Sequence, residues 1–243
     1  MGMNEKTVFA GYATAAWDYG SGTLEDTEID LSVGADEANE RVSVQDAVKR
    51  GLDVAGAAIG LVALLPLWAA IALAIKLSSK GPVFFSQERA GLKGKPFRMF
   101  KFRSMVVDAE ERLKEFVTIE DLAEPVYKLK NDPRVTSVGR FLRRFGLDEL
   151  PQLLNVLRGE MSLVGPRPEV VVLVDRYTAK QRLRLLVKPG ITGYQQIHNR
   201  GMPNMAARLV YDLFYLRHRN FLLDVYVLAM TVVVISSGKE ITY

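Results

Sequence analysis

The longest uncharged stretch of the chain runs from Val54 to Ile75 and contains 22 residues. A helix of that length can cross the hydrocarbon core of a bilayer, which takes about 20 apolar residues. Pro66 lies near the middle of the stretch, where it removes a backbone N–H donor and clashes with the carbonyl of Val62, so it should bend the helix sharply. Each half would then measure about 15 Å, roughly half of the hydrocarbon thickness.

Basic residues flank this stretch on both sides, with Lys49 and Arg50 before it and Lys76 and Lys80 after it. Because positive charge favours the cytoplasmic side of a membrane, both ends are expected on that side. We therefore predict that residues 43–80 form a re-entrant membrane helix, bent at its proline, which enters and leaves by the same face. A single kinked span and a buried helix of a soluble domain remain alternatives.

Charge is distributed unevenly along the chain. Residues 1–42 hold nine acidic and two basic residues and are rich in Gly, Ser and Thr, which predicts an acidic, disordered tail. Order is predicted to begin at Ser43, where "SVQD" is typical of a helix N-terminus. The remaining 30 basic and 19 acidic residues indicate an anionic partner: a phosphorylated substrate, an anionic lipid or a nucleic acid. Since the chain has no cysteine, disulfides, thiolate nucleophiles and cysteine-based metal sites are excluded.

Residues 81–243 combine strand and helix patterns. "VFFSQER" and "FRMFKFRSM" flank the turn-rich "AGLKGKP", which predicts a β-hairpin. In an extended segment Lys101 and Arg103 would share one face. A helix with its charges on one side is predicted over residues 106–128. The expected fold class is therefore α+β, mainly helical.

Two further helices are predicted on either side of Gly146, and an apolar run closes the chain. The second of these helices should carry one apolar stripe, formed by Leu150, Leu153, Leu154 and Leu157. The run from Val225 to Ile235 is too short to span a bilayer, so it predicts either a buried core helix or an interfacial helix.

Two adjacent carboxylates, Asp148 and Glu149, precede Pro151 at the start of a predicted helix. Acidic residues near a helix N-terminus are stabilised by its dipole, so capping is one interpretation. A functional interpretation is favoured by the surrounding arginines, which are Arg140, Arg143, Arg144, Arg158 and Arg167. Their charge would hold a carboxylate ionised, ready to act as a nucleophile or a Mg²⁺ ligand, and arginine binds phosphates through paired hydrogen bonds.

Two loops that follow the carboxylates could approach a ligand. "GPRP" holds Arg167 between Pro166 and Pro168, which limits the backbone entropy lost on binding, although a rigid turn with a solvated arginine is the alternative. "KPGITGYQQ" contains two glycines whose amides could contact a ligand, but such a segment is more often only a turn. His198 and His218 are isolated, and no spacing of histidine with acidic residues indicates a zinc site.

Together these segments resemble the bacterial sugar transferase family, the monotopic polyprenyl-phosphate phosphoglycosyl transferases. The resemblance begins near Val48 and keeps the family's order and spacing through "PLWAAIALAIKL", "GPVFFSQERAGLKGKPFRMFKFRSM", "NDPRVTSVGRFLRR", "LDELPQLLNVLRGEMSLVGPRPE" and "KPGITGYQQ". It implies transfer of a phosphosugar from a nucleotide diphosphate-sugar, expected to be a UDP-sugar, to polyprenyl (undecaprenyl) phosphate with release of UMP. It also implies the first membrane step of exopolysaccharide, capsule, O-antigen or glycoconjugate biosynthesis, at the cytoplasmic face of the bacterial inner membrane.

The same resemblance assigns roles to single residues. Asp148 would be the nucleophile that forms a covalent phosphosugar-aspartyl intermediate, and Glu149 would position or deprotonate the acceptor. Both carboxylates would bind Mg²⁺, which neutralises the charge of the diphosphate. The residues expected to bind the substrates are Lys101, Arg103, Arg143, Pro166, Arg167, Pro168, Gly193, Arg200 and Asp212.

The expected architecture is a monotopic membrane protein with a re-entrant helix, amphipathic interfacial helices and a cytoplasmic catalytic domain over residues 81–243. Its expected partners are a nucleotide-sugar donor, a polyprenyl phosphate acceptor and inner-membrane lipids, and a homodimer is a further expectation. A catalytically silent membrane scaffold of polysaccharide synthesis is the alternative from another functional class. A basic membrane-surface protein that binds nucleic acid or anionic lipid would explain the charge but not the acid pair, and no nucleic-acid-binding motif is present.

Overall fold

The computed structural model describes residues 37–118, 122, 129, 132–198 and 205–236, with side chains from residue 45 onward. The helices are α1 (Glu37–Ala63), α2 (Leu65–Ser78), α3 (Ala109–Leu113), α4 (Ser137–Arg144), α5 (Gln152–Arg158), α6 (Val171–Val174), α7 (Ala179–Arg182), α8 (Tyr194–His198), α9 (Met205–His218) and α10 (Phe221–Ser236). The strands are β1 (Phe84–Ala90), β2 (Pro96–Phe102), β3 (Ser162–Val164) and β4 (Gly190–Thr192). The predicted fold, mainly helical with a small β-hairpin, is confirmed.

The uncharged stretch folds as two helices that are bent by 62° relative to each other. The break lies at Leu64, and Pro66 occupies the first turn of α2, where its missing N–H needs no helical partner. The sharp bend predicted from this proline is therefore confirmed. Within the described residues no single helix is both long and apolar enough to cross a membrane, whereas the bent pair meets both criteria when its halves are taken together.

The predicted start of the first helix is wrong. α1 begins at Glu37, so Ser43 lies inside the helix and not at its N-cap. The segment ahead of Ser43 contains Glu, Ala and Arg, which are strong helix formers, and nothing in it interrupts the helix. The rest of the predicted acidic tail lies outside the described residues.

Basic residues at the start of the apolar stretch hold α1 against the rest of the protein. Arg50 donates hydrogen bonds to the carbonyl oxygens of Val156 (2.5 Å) and Leu157 (2.9 Å), at the C-terminal end of α5. Lys49 forms an ion pair of 2.6 Å with Asp224 of α10. Unpaired carbonyls at a helix C-terminus attract positive charge, so Arg50 satisfies α5 while it docks α1.

The middle of α1 packs closely on β3 and α5. Asp53 is buried, and its Oδ1 accepts hydrogen bonds from the Ser162 hydroxyl (3.0 Å) and the Leu163 amide (2.9 Å). A Cβ on Gly56 would lie 2.7 Å from Leu163 Cδ1, and one on Gly60 would lie 3.3 Å from a methyl group of Leu153 in α5. The two glycines therefore permit close helix packing.

The predicted β-hairpin is present, and α2 packs beside it. β1 and β2 pair antiparallel, and the turn between them includes Lys93 at φ 55° and Gly94 at φ 76°. Ile71 and Ile75 of α2 belong to one buried cluster with Phe102 of β2. The second half of the bent pair therefore returns to the same domain as the first half.

A second, parallel strand pair was not predicted. β3 leads directly into the "GPRP" loop, and β4 lies within "KPGITG", so both candidate ligand loops start from this pair. A Cβ on Gly193, just after β4, would lie 2.3 Å from the Gly165 carbonyl oxygen, so the two loops approach each other as closely as backbones can. Strands of three residues are too short to show an alternating pattern in the sequence.

The helices around the carboxylate pair follow the prediction only in part. The chain breaks at Gly146, which adopts φ 65°, and Leu147–Glu149 form a 3₁₀ turn between α4 and α5. Of the predicted stripe on α5, Leu153 is buried but Leu154 is 36% exposed. The helix predicted over residues 106–128 is shorter, because only Ala109–Leu113 is helical within its described part.

The C-terminal apolar run belongs to α10, which is neither fully buried nor fully exposed. Leu223 and Val227 are buried in a cluster with Tyr215 of α9. The opposite side is exposed and apolar, and includes Phe221, Leu222, Val225, Leu228, Val232 and Val233. The buried face agrees with the predicted core helix, and the interfacial helix stays a prediction for the exposed face.

Candidate active site

A cleft of about 300 Å³ opens beside the β-hairpin, α4 and the loop that carries Arg167. Its basic lining residues are Arg89, Lys101, Arg103, Arg134, Arg143, Arg167 and Arg208. Its acidic lining residues are Glu110, Asp132, Asp148 and Glu169, and its apolar wall includes Phe84, Phe85, Phe102, Val107 and Leu173. Because basic groups outnumber acidic ones, the cleft suits an anionic ligand.

Asp148 lies at the wall of this cleft and is only 2% exposed. Gly146 reverses the chain after α4 with a left-handed conformation, and the following 3₁₀ turn directs the carboxylate inward. Its Oδ1 is buried without a hydrogen-bond partner in the described part of the chain. Burial raises the pKa of Asp148 above its usual range; Lys101 opposes the shift and the Glu149 charge adds to it.

Glu149 is also buried, but it is directly paired with two cations. Its Oε1 accepts hydrogen bonds from Lys101 Nζ (2.9 Å) and Arg167 Nη2 (3.1 Å). Burial by itself would raise the pKa of Glu149, but the charges of Arg167 and Lys101 lower it to about 2. The expectation that nearby positive charge keeps the carboxylates ionised is therefore confirmed for Glu149, whereas Asp148 is more basic than usual.

Two predicted phosphate ligands, Lys101 and Arg143, line the cleft near Asp148. Burial lowers the pKa of Lys101, and the charge of Glu149 opposes this shift. Arg143 projects from α4 and donates through Nε to the Ser104 hydroxyl (3.0 Å), which leaves its terminal nitrogens without a partner in the described region. Gly139 lets α4 lie close enough for this bond, because a Cβ there would be 1.9 Å from the Ser104 carbonyl oxygen.

Arg103 lines the same cleft as Lys101. β2 ends at Phe102, and the Arg103 guanidinium donates to the carbonyl oxygens of Lys80 (2.8 Å) and Ser79 (2.9 Å) and to the Ser79 hydroxyl (2.9 Å). These three bonds hold the end of α2 at the edge of the cleft. Both side chains therefore line one cleft, in agreement with the prediction of a shared face, although Arg103 binds the end of α2 and Lys101 binds Glu149.

The "GPRP" loop is held in place from both sides. The amide of Gly190 donates to the Pro166 carbonyl oxygen (2.9 Å), and Arg89 Nη1 donates to the Pro168 carbonyl oxygen (3.3 Å). Arg167 therefore reaches Glu149 from a fixed backbone. The alternative of a rigid turn with a solvated arginine is wrong, since the Arg167 side chain is 21% exposed and ion-paired with Glu149.

Asp212 lies behind the "GPRP" loop and is not a lining residue of the cleft. It forms a buried ion pair of 2.8 Å with Arg184, which donates to the Arg167 carbonyl oxygen (3.2 Å) and to the Tyr177 hydroxyl (2.7 Å). Its position supports the loop, and so does that of Gly193, which packs on Gly165. Arg200 lies outside the described residues.

Several residues of this region were not predicted as functional. Arg89, Arg134 and Arg208 line the cleft. Arg184 is buried behind it and donates to the Arg167 carbonyl oxygen. Arg134 belongs to the "NDPR" motif, where it forms a bidentate ion pair with Asp132. For Arg89, Arg184 and Arg208 the sequence contains no local signal, because their partners are distant along the chain.

The carboxylate pair is also a candidate site for Mg²⁺. In the part of the chain that the structure describes, no group of three or more His, Asp or Glu side chains could hold a metal ion. Mg²⁺ nevertheless often takes only one or two carboxylates, together with substrate phosphates and water. The unbonded Oδ1 of Asp148, in a cleft that suits phosphates, fits this donor set.

Comparisons with known proteins agree with the motifs. The model of the family described as "Bacterial sugar transferase" matches residues 44–238. The chain is 44% identical over 193 residues to the UDP-glucose:undecaprenyl-phosphate glucose-1-phosphate transferase of Escherichia coli (strain K12), a match that covers 76% of this chain and 39% of the relative. It is 42% identical over 199 residues to the undecaprenyl-phosphate glucose phosphotransferase of Komagataeibacter xylinus, covering 76% of this chain and 35% of the relative.

A shorter relative is covered over most of its length. The exopolysaccharide production protein ExoY of Rhizobium meliloti (strain 1021) is 40% identical over 188 residues, which are 76% of this chain and 83% of the relative. The chain thus spans well under half of the two longer relatives and most of the shorter one. The family match covers the bent helix pair, the cleft and the carboxylate pair, and on this basis the chain belongs to the bacterial sugar transferase family.

Proposed function

We propose that this chain is an undecaprenyl-phosphate sugar phosphotransferase, which transfers a phosphosugar from a UDP-sugar to polyprenyl phosphate and releases UMP. The observation that carries the proposal is Asp148, a buried carboxylate with an unbonded oxygen at the wall of a cleft rich in cations. Such a carboxylate can attack an electrophile without first breaking a hydrogen bond. The names of two relatives, which refer to UDP-glucose or to undecaprenyl phosphate, support these substrate classes.

The proposed reaction consists of two displacements at one phosphorus atom. A carboxylate oxygen of Asp148 attacks the phosphorus that bears the sugar, and the bond from this phosphorus to the bridging oxygen breaks, so that UMP leaves with the bonding electrons. A phosphate oxygen of the lipid then attacks the same phosphorus, and the bond to Asp148 breaks. The second step regenerates the carboxylate, and the scheme requires ping-pong kinetics.

The environment of Glu149 favours a positioning role. Its Oε1 holds Lys101 and Arg167 at the cleft, where both cations can contact the donor phosphates. A carboxylate with a pKa of about 2 is a weak base, so proton transfer from the acceptor is the less suitable role. Positioning and charge neutralisation are also the main requirements of phosphoryl transfer.

Asp148 and Glu149 are the residues that would hold Mg²⁺. When bound, the ion would neutralise charge on the diphosphate and on the leaving UMP. The chain's own cations, Lys101, Arg143 and Arg167, would orient the same phosphates.

The proposed location is the cytoplasmic face of the inner membrane, with the bent pair α1–α2 inserted in one leaflet. Two features support this location. The two halves of the pair pack on one domain, through Gly56 and Ile75, and at the bend between them Val62 and Leu65 are 70% and 58% exposed. A water-soluble donor and a lipid acceptor could then meet in one cleft, and the product would start the assembly of an exopolysaccharide or a related glycan.

The proposal is tested by incubating the detergent-solubilised chain with UDP-sugars, Mg²⁺ and undecaprenyl phosphate, and by measuring UMP. We expect Asp148→Asn to lower the rate by at least about 10³-fold, as removal of a nucleophile does. Asp175→Asn, which changes an exposed acid, is the matched control and should retain the rate. With donor alone, the unchanged chain should release one UMP per molecule and gain the mass of a phosphosugar, and Asp148→Asn should do neither.

Two results would contradict the proposal. Full activity of Asp148→Asn would remove the proposed nucleophile. Absence of UMP release with every nucleotide sugar would favour a silent membrane scaffold.

A further inference from the structure

Four acidic side chains line the cleft, and three of them have a hydrogen-bond partner or a part in the proposed reaction. Asp132 accepts hydrogen bonds from Arg134 through both carboxylate oxygens, at 2.9 Å and 2.6 Å. Glu110 accepts one from the Gln87 amide group (3.1 Å). Asp148 is the proposed nucleophile. The fourth acidic side chain has neither a partner of this kind nor a part in the reaction.

This fourth side chain is that of Glu169, which is only 10% exposed. It forms an ion pair with Arg208, but the distance from Arg208 Nη1 to Glu169 Oε1 is 3.5 Å. A good N–H···O hydrogen bond is shorter, at about 2.9 Å. Among the described residues none donates a hydrogen bond to this carboxylate. Because a buried carboxylate without donors is costly, Glu169 is suited to donors that a ligand in the cleft supplies.

The backbone of Glu169 is fixed against the β-hairpin. Its carbonyl oxygen accepts a hydrogen bond from the Ala90 amide (2.9 Å), and the next residue, Val170, forms an antiparallel bridge with Arg89 of β1. Arg208 projects from α9, and its side chain is only 15% exposed. The acceptor is therefore preorganised, which limits the entropy that a ligand loses on binding.

Arg167 connects Glu169 to the reacting end of the cleft. Arg167 donates to Glu149 (3.1 Å), and two residues later Glu169 faces Arg208. Burial raises the pKa of Asp148 and lowers that of Arg208, and the charge of Arg167 acts on both groups. Arg167 is therefore close to the nucleophile and also to the pair formed by Glu169 and Arg208. If it holds a donor phosphate, this pair lies beside the groups that the phosphates carry.

We propose that the Glu169 carboxylate accepts hydrogen bonds from two adjacent hydroxyls of the nucleotide-sugar donor and so determines which donors the cleft accepts. An ionised carboxylate has acceptor sites on both oxygens, and hydroxyl groups are suitable donors for them. Arg208 offsets the negative charge, which would otherwise repel the diphosphate. A UDP-sugar has adjacent hydroxyls on its hexose and on its ribose, and the test below separates these two sources. The inference rests on the proposed function.

Donors that lack one hydroxyl test this contact. UMP release is measured in detergent with Mg²⁺ and undecaprenyl phosphate, at donor concentrations far below KM, so that the rate reports kcat/KM for the donor. The parent donor is UDP-glucose or UDP-galactose, whichever reacts faster. Its analogues lack single hexose hydroxyls, or the ribose 2′-hydroxyl. The variants are Glu169→Ala, Glu169→Gln and the matched control Glu88→Ala, which changes an exposed acid of β1 outside the cleft.

In the unchanged chain and in Glu88→Ala, loss of a hydroxyl that contacts Glu169 should lower kcat/KM by about 10- to 100-fold, as loss of a hydrogen bond to a charged group does. Glu169→Ala should react with this analogue and with the parent donor at equal rates, within about twofold. Glu169→Gln keeps one acceptor oxygen and should retain part of the discrimination. Each value is a ratio within one variant, so a smaller amount of folded protein does not change it.

The position of the penalty identifies the source of the hydroxyls. A penalty at the hexose that Glu169→Ala removes assigns the contact to the sugar. A penalty at the ribose that the same variant removes assigns it to the nucleoside.

Two results would overturn the inference and leave the proposed function intact. One is the same set of ratios in the unchanged chain and in Glu169→Ala, because Glu169 would then contact no donor hydroxyl. The other is a discrimination that Glu169→Ala loses only against a donor methylated at uracil N3, which would assign the carboxylate to the base. Absence of UMP release from the unchanged chain with every donor would reject the proposed function, and the inference with it.

Discussion

At the scale of single residues, two neighbouring carboxylates should affect stability in opposite directions. Burial raises the pKa of Asp148 in the folded state, so at neutral pH its charge opposes folding, and Asp148→Asn should raise the unfolding temperature. The pKa of Glu149 is lowered to about 2, so its charge contributes stability above the unfolded value of about 4.3. Glu149→Gln would leave Lys101 and Arg167 without this partner and should cost about 3 kcal/mol at neutral pH.

Thermal unfolding in detergent checks both variants. The loss in Glu149→Gln should shrink as the pH falls from about 4.3 toward about 2, because the unchanged chain loses the same charge there. If the unfolding temperatures of both variants shifted in the same direction at neutral pH, the opposite effects expected for the two carboxylates would be contradicted.

The pH dependence of the rate should reflect the same two environments. Asp148 must be ionised to attack, and since its pKa is raised, the rate should begin to fall on the acid side at a pH above the usual value of about 3.9. Lys101 must be protonated to bind phosphates, and since its pKa is lowered, the alkaline fall should occur below 10.5. In Lys101→Arg, whose charge persists, the alkaline limb should move to higher pH; an unmoved limb would exclude Lys101 as its cause.

At the scale of elements, the junction between α2 and β1 depends on one glycine. Gly81 adopts φ +122°, and a Cβ there would lie 1.9 Å from Arg103 Nη1, whose guanidinium caps the end of α2. Gly81→Ala should therefore destabilise the protein by about 2 kcal/mol and displace Arg103 from the edge of the cleft.

The matched control is Gly51→Ala in α1. A Cβ at Gly51 meets nothing within 4 Å, so alanine should stabilise the helix by about 0.5–1 kcal/mol. The unfolding temperatures of Gly81→Ala and Gly51→Ala are the measurement. Equal shifts would show that a side chain at residue 81 causes no backbone strain or steric clash.

At the scale of the whole molecule, the bent pair makes a topological prediction. If α1 and α2 enter and leave one leaflet, cysteines placed singly at Gly2 and Lys80 should both react with a membrane-impermeant reagent from the cytoplasmic side. Everted and right-side-out vesicles separate the two sides, and the absence of native cysteine keeps the background low. Labelling from opposite sides would establish a kinked span instead.

The sequence by itself determined the features that depend on neighbouring residues. Pro66 implies a bend because a missing N–H and a steric clash act within one helical turn, and "AGLKGKP" implies a hairpin turn for similar local reasons. The family also follows from the sequence, since its motifs are local and ordered. Asp148 and Glu149 were identified as a pair in this way.

Only the tertiary structure decided which residues that are distant along the chain contact each other around the cleft. It placed Asp212 with Arg184 behind the cleft, bound Arg50 to the end of α5 and directed Arg103 to the end of α2. It also placed the two carboxylates in different environments. Glu149 forms ion pairs with Lys101 and Arg167, while Asp148 Oδ1 meets no hydrogen-bond donor among the described residues. Desolvation and charge interaction depend on burial and on distances in space, and the order of residues along the chain specifies neither.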